Sequence, residues 1–360
     1  VISTRELNRA TLARQLLLRR HAMPALEAVE HLVGLQAQAP FPPYFGLWSR
    51  LDGFTPDELA RPLLEREAVR MVLMRGTVHL VTAADALTLR PLTQPLLDRH
   101  LNLAHGRSLQ GVDADRLAKT IRQALAERPL TSAELGAHLA ERFPAAAPDD
   151  LAVAVRCVVP LVQVPPRAVW GKAGRTAYAA MEDWLGRPPH PEPSPERLVL
   201  RYLAAFGPAT VADAQAWSGL TGLREIVERL RPRLVVLRDE QGRELFDLPD
   251  APRPGADVPA PVRLVAPFDN VLLGHADRTR IISDEHRRTV ITINGQVLGT
   301  VLADGFVRGV WKREGPVVTV EPFAPLTPGQ VEEVRAEALA LLAFAEPAKA
   351  DRHEVRGIGS

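Results

Sequence analysis

Apolar side chains recur at helical spacing from the start of the chain, where Leu7, Ala10, Leu17 and neighbouring leucines form one face of a segment reaching about Arg20. Ser3 with Glu6 supplies a capping box for its start, the hydroxyl accepting from a first-turn N–H and the carboxylate from the cap's own N–H. A second helix is predicted over residues 25–33. Thr55, Pro56 and Glu58 open a third, ending near Glu65, since proline is tolerated in a first turn whose N–H has no helical partner. The period then changes. Residues 69–73 and 77–81 are apolar-rich and flank Met74-Arg75-Gly76, which predicts a hairpin. Helices followed by a hairpin suggest a winged helix with an additional amino-terminal helix.

The pattern returns after a helix-rich linker over residues 82–125. Thr131 and Glu134 cap a helix through Leu139, residues 151–159 form another apolar segment, and short strands are expected near Val162 and at 168–170. Prolines at nearly every second position of 188–195 predict a stiff linker. Beyond it Thr210 and Asp213 open one helix, Gly219 marks a turn, and Thr221 opens a helix reaching Leu230. Residues 235–237 and 244–248 then flank a turn suited to a wing, Asp239-Glu240-Gln241-Gly242-Arg243. Five prolines in 249–261 end this stretch. From 262 to 320, runs of valine, isoleucine and threonine alternate with Asn294-Gly295, Asp304-Gly305 and Glu314-Gly315, the signature of an antiparallel sheet or small barrel, and residues 332–344 predict a covering helix.

The expected fold is therefore α+β, with three tandem winged-helix modules. They occupy residues 1–127 with helical extensions, 128–190 and 196–250. A β-rich, barrel-like domain over 260–323 and a terminal helix at 328–347 follow. A chain of 360 residues is long enough for several such cores.

Charge narrows the functional classes. With 44 Lys and Arg against 43 Asp and Glu, the formal net charge is +1, so any affinity for nucleic acid has to come from local patches. The one cysteine, Cys157, lies in an apolar run, which excludes an intrachain disulfide and fits a reducing compartment. Without a charged leader or an 18-residue apolar span, a cytoplasmic protein with no membrane association is expected. No Walker A or dinucleotide glycine fingerprint occurs, and the ten histidines form no HExxH, so no cofactor and no metal is expected.

Arg75 at the tip of the first hairpin and Arg243 beside the tip of the third are candidate DNA contacts, weighed evenly against ordinary solvated arginines. Residues 278–313 carry seven basic side chains, Arg278, Arg280, Arg287, Arg288, Arg308, Lys312 and Arg313, against three acidic ones. Projection of Arg308, Lys312 and Arg313 from one hairpin would gather phosphate contacts, although alternation along a strand can separate charges adjacent in sequence. Trp311 is a candidate stacking platform, with packing against the sheet the stronger reading.

Leu35-Gln36-Ala37-Gln38-Ala39-Pro40, followed by Met74-Arg75-Gly76-Thr77-Val78-His79-Leu80-Val81, resembles the alkylpurine and interstrand-crosslink DNA glycosylase family associated with azinomycin resistance. Phe268-Asp269-Asn270-Val271-Leu272-Leu273-Gly274-His275 and Phe306-Val307-Arg308-Gly309-Val310-Trp311 extend the resemblance across nearly the whole chain. It implies three winged helices on an all-β scaffold in a C-shaped protein. It also implies base excision repair of double-stranded DNA containing alkylated purines or crosslinks, with no obligate protein partner. The two motif glutamines are catalytic in that family, and the roles fall on Gln36 and Gln38.

The chemistry is coherent. An N7-alkylated purine is cationic before it departs, so no strong acid need protonate it. A glutamine amide can orient water through its carbonyl or bind deoxyribose through its NH2, favouring the oxocarbenium-like sugar formed as the bond breaks. Lys172 is a conceivable amine nucleophile, but nothing in its surroundings supplies the activation this needs, so hydrolysis to an abasic site is favoured. His79 in an apolar strand and Asp269 in an apolar segment are secondary candidates, His79 reading more as a hydrogen-bonded structural residue. The competing functions are a winged-helix transcriptional regulator and a catalytically silent DNA-damage-binding protein.

Overall fold

The computed structural model describes residues 1–105, 109 and 111–358. Helices α1 (Thr4–Arg14) and α2 (Ala25–His31) lead into strand β1 (Leu35–Gln36), helices α3 (Pro42–Trp48) and α4 (Asp57–Leu64), and the hairpin β2 (Ala68–Val72) and β3 (Val78–Thr82). Helix α5 (Ala83–His105) carries the chain to α6 (Ala114–Leu125), β4 (Leu130–Thr131), α7 (Ser132–Arg142), α8 (Pro148–Val158), β5 (Leu161–Gln163), β6 (Ala177–Ala180) and α9 (Met181–Leu185). Next come α10 (Pro195–Phe206), α11 (Val211–Ser218), α12 (Leu223–Leu230) and the hairpin β7 (Val235–Arg238) and β8 (Glu244–Asp247). Strand β9 (Arg263–Val265), α13 (Asp284–Val290), β10 (Gly299–Ala303), β11 (Phe306–Glu314), β12 (Val317–Pro322), α14 (Pro328–Ala345) and β13 (Glu354–Arg356) complete a mixed α+β fold.

The capping chemistry operates as expected at Ser3–Glu6, Thr131–Glu134 and Thr210–Asp213, each a reciprocal box. Strands β1 to β6 form one continuous sheet in the order β1-β3-β2-β5-β6-β4, so the first two sets of strands meet through β2 and β5. Strands β7 and β8 stand alone as a hairpin, and the last sheet runs β13-β12-β11-β10-β9 with only the β12–β13 pair parallel.

Several elements differ from the sequence expectation. Helix α1 stops at Arg14, because the chain reverses through Leu16 at a left-handed φ of 59°, yet Leu17 stays buried beyond the turn. Residues 168–170 are not a strand. Ala168 is left-handed and its carbonyl accepts from Tyr44 Oη at 2.8 Å, while Trp170 joins Phe41, Tyr44, Phe45 and Phe344 in an aromatic cluster. Helix α12 begins after a left-handed Gly222 with no side-chain cap, not at Thr221. The carboxy-terminal β region also holds α13, so it is not all β. Gln36 lies in a short strand, since α2 closes at His31 and Gly34, at φ 87°, turns the chain onto β3.

Candidate active site

Strand β1 pairs antiparallel with β3, placing Leu35 opposite Leu80 and Gln36 opposite His79. A Cβ on Gly34 would lie 2.6 Å from Val81 Cγ1 and 2.9 Å from the Leu80 carbonyl oxygen, so only glycine lets β1 begin this close to β3. The ladder continues one step through Ala37 N–H to the Val78 carbonyl at 2.7 Å. Gln36 is buried, Ala37 is buried, and Gln38 faces solvent.

Two arginines hold this segment. Arg70, buried in β2, donates through Nη2 to the Ala37 carbonyl at 2.6 Å and through Nη1 to Gln163 Oε1 at 2.8 Å. Arg75 sits in the one-turn 3₁₀ segment joining β2 to β3, at φ 56°, which swings its side chain inward. Its Nη2 donates to Gln36 Oε1 at 2.6 Å and to Asn270 Oδ1 at 3.1 Å, and its Nη1 donates to the Trp217 carbonyl at the end of α11. Asn270 in turn donates through Nδ2 to the Gly34 carbonyl at 3.3 Å. Gln38 Oε1 accepts from Val78 N–H at 3.2 Å. Residues from the first sheet, from α11 and from the turn before α13 thus converge on Arg75, which holds the Gln36 amide, while the Gln38 amide is held by Val78 alone among the described residues.

The electrostatics are unusual. Neither Arg70 nor Arg75 forms an ion pair with a carboxylate among the described residues. Burial pulls both guanidinium groups down to about 10, helped at Arg75 by the charge of Arg278 and at Arg70 by that of Arg167. Among the described residues, no group of three or more His, Cys, Asp or Glu side chains is placed to hold a metal ion.

His79 is fully buried. Its Nδ1–H donates to the Thr77 carbonyl at 3.0 Å, an assignment that follows because a carbonyl can only accept, which leaves Nε2 facing Arg75 Nη2 at 3.5 Å. Burial first, and Arg75 second, push its pKa down to about 3. Between the ordinary value near 6.5 and that depressed value, the unfolded chain binds a proton the native protein does not. Stability therefore falls as pH drops through 6.5, and this loss levels off near pH 3. From pH 8 to pH 5 this one group accounts for about 2 kcal/mol. Denaturant titrations at both pH values should show a smaller loss in His79→Gln, and equal losses in the two proteins would exclude a neutral buried His79.

The other candidate residues are spread apart. Arg75 does not project from a hairpin tip. Arg243 is committed to Asp239 and Asp277, each at 2.6 Å, so its charge is already matched. Strand β11 is a central strand paired on both edges, and its alternation sends Arg308 and Lys312 to the exposed face and Arg313 to the other. There Arg313 pairs with Glu346 at 2.9 Å and lies over Phe45, so the three charges are not one cluster. Trp311 is buried with Nε1 donating to the Val265 carbonyl at 2.8 Å, which removes it as a stacking platform. Asp269 is buried against Arg50. Lys172 is exposed. Arg70 and Asn270 escaped the sequence reading as site residues, although an arginine inside the apolar run 68–72 was a usable signal, since buried arginine needs a dedicated partner.

The sequence profile of the DNA glycosylase AlkZ-like family matches residues 29–344. A Streptomyces sahachiroi interstrand DNA cross-link repair glycosylase is 31% identical over 165 residues, which is 43% of this chain and 44% of that protein. The aligned stretch thus spans under half of that relative's length. The solved structure of the S. sahachiroi DNA glycosylase AlkZ has the same fold, with a TM-score of 0.81, 23% identity, and 99% of each chain covered. No helix among the described residues is long and apolar enough to cross a membrane. With its fold matched end to end and the profile covering all three groups of residues that meet at Gln36, the chain belongs to the AlkZ-like DNA glycosylase family.

Proposed function

We propose that this protein is a monofunctional DNA glycosylase that hydrolyses the N-glycosidic bond of N7-alkylated purines, bulky azinomycin-type adducts and interstrand crosslinks included, and leaves abasic sites. Gln36 and Gln38 are its catalytic pair. The observation that carries this reading is the Gln36 amide and Asn270 held by the Arg75 guanidinium, with Gln38 two residues along the same segment and no carboxylic acid hydrogen-bonded to any of them among the described residues. Such a site cannot protonate a neutral leaving base strongly, so it suits a base that is already cationic. The name of the S. sahachiroi relative supports a crosslink substrate.

Three winged-helix modules at 1–127, 128–190 and 196–250, with the domain at 260–323 and the helix at 328–347, would form a C-shaped body around duplex DNA. The helix-then-hairpin order of α11, α12, β7 and β8 supports the third module. Arg308 and Lys312, both exposed on β11 with the buried Val310 between them, are the phosphate contacts in this reading.

Matched duplexes carrying N7-methylguanine, an azinomycin crosslink or no lesion test the proposal. Free base and abasic strands should appear from the modified duplexes alone. Binding across a salt series should lose roughly two units of slope in the Arg308→Glu, Lys312→Glu double variant. No release, with selective affinity for an undamaged operator, would establish a regulator instead. No release with lesion-selective binding would establish a silent damage-binding protein.

A further inference from the structure

We propose that Gln36 and Gln38 act through their NH2 groups, donating to acceptor atoms of the departing purine, and that Arg75 is the positioning residue that imposes this orientation on Gln36. The inference rests on the glycosylase reading and goes beyond it by assigning which end of each amide works.

Which amide atom faces inward is fixed by chemistry. A guanidinium has only donors, so the atom of Gln36 lying 2.6 Å from Arg75 Nη2 has to be the carbonyl oxygen. A backbone N–H is likewise only a donor, so Gln38 presents its carbonyl oxygen to Val78 at 3.2 Å. Both NH2 groups are left without a protein partner among the described residues. Asn270 differs from the glutamines, because its oxygen accepts from Arg75 and one N–H of its NH2 is already given to the Gly34 carbonyl. Arg75 is itself pinned by the Trp217 carbonyl. The close approach of that segment depends on Gly219, where a Cβ would lie 3.1 Å from Arg75 N and 3.0 Å from Leu96 Cδ2 on a backbone at φ 77°.

A cationic donor on Oε1 draws electron density from the amide. The oxygen becomes a weaker base toward water and the NH2 a stronger donor. As the C1′–N9 bond breaks, its electron pair passes to the purine and cancels the positive charge of the alkylated ring. Water forms the new C1′–O bond and releases its proton to solvent. Electron density thus rises on the purine acceptors O6 and N3 and falls on the sugar ring oxygen and the attacking water. Donors aimed at the purine are stronger in the transition state than in the ground state, whereas donors aimed at the sugar ring oxygen would oppose the reaction.

Single-turnover release of 7-methylguanine, with a thermal melt of each protein, provides the test. In Gln36→Glu a carboxylate still faces Arg75 but the NH2 is gone, so its rate should match Gln36→Ala, about a hundredfold below wild type. Arg75→Ala should also be slow, Arg75→Lys should recover part of the rate, and the Arg75→Ala, Gln36→Ala pair should be no slower than Gln36→Ala alone. A Gln36→Glu enzyme as fast as wild type would overturn the orientation, as would losses that multiply in the double variant. If Arg75→Ala does not fold, Gln36→Glu and Arg75→Lys carry the comparison, and lysine slower than Gln36→Ala would overturn the positioning role. A wild-type protein that releases no base defeats the glycosylase reading itself, a different result from an active wild type with an active Gln36→Glu.

Discussion

Alanine at both Gln36 and Gln38 is expected to slow single-turnover base release by about a hundredfold or more, while duplex binding is largely kept. The two single losses need not multiply, because neighbouring groups acting on one transition state share their contribution. Their costs to folding should differ sharply. Gln36 is buried, and its oxygen accepts one of the hydrogen bonds of a guanidinium with no counter-charge, so Gln36→Ala strands a buried donor and costs about 1–3 kcal/mol. Gln38 is exposed, and its removal opens one backbone N–H, that of Val78, to replacement by water, so a change of about 0.5 kcal/mol or less is expected. Gln38→Ala is therefore the variant that separates chemistry from stability. Base release under enzyme excess, measured beside denaturant titrations of each variant, checks both halves. A folded double variant that releases 7-methylguanine at the wild-type rate would remove this pair from the active site.

What the sequence disclosed followed the range of the forces involved. Capping boxes, the β2–β3 hairpin and the β7–β8 hairpin depend on neighbours within a few residues, and their spacing alone located them. Helix α10 was hidden because Pro195 reads as part of a proline-rich linker. In the structure it is the first-turn proline after a Ser194 cap, and the apolar face Leu198, Tyr202 and Phe206 follows at a spacing of four. Strand β13 is only three residues long and pairs parallel with β12 across the intervening α14, a contact no local pattern encodes. The motif glutamines were legible through family resemblance, but their environment was not. Arg75 reads as a solvated hairpin tip until the left-handed turn at that residue directs it inward, and Asn270 and Trp217 reach it from about 195 and 142 residues away in sequence. The charges of 308–313 looked like one patch because linear sequence conceals the alternation of a strand.

Asp269→Ala is expected to destabilise the protein by about 3–5 kcal/mol, because it breaks a buried ion pair by removing one partner. Both carboxylate oxygens accept from Arg50, at 2.7 and 2.8 Å, and the two side chains are 1% and 0% exposed. Arg50 is otherwise held by the Gln15 carbonyl at 2.9 Å and the Gly46 carbonyl at 2.9 Å, which tie it to the end of α1 and to α3. Asp269 also caps the next turn by accepting from Val271 N–H at 2.9 Å. Removing the carboxylate leaves a buried cation without its counter-charge and frees the turn that carries Asn270 toward Arg75. Asp269→Asn keeps an oxygen for the cap but not the charge, so it should recover only the smaller, capping share of about 1 kcal/mol. Replacing Arg50 by methionine and Asp269 by leucine together should be far less costly than either alone, because no charge is then left buried. Chemical denaturation of the two single variants and the pair measures this cycle. Single losses below about 1 kcal/mol, or a pair whose cost is the sum of the two, would show that the bridge does not hold α1, α3 and the Asn270 turn together.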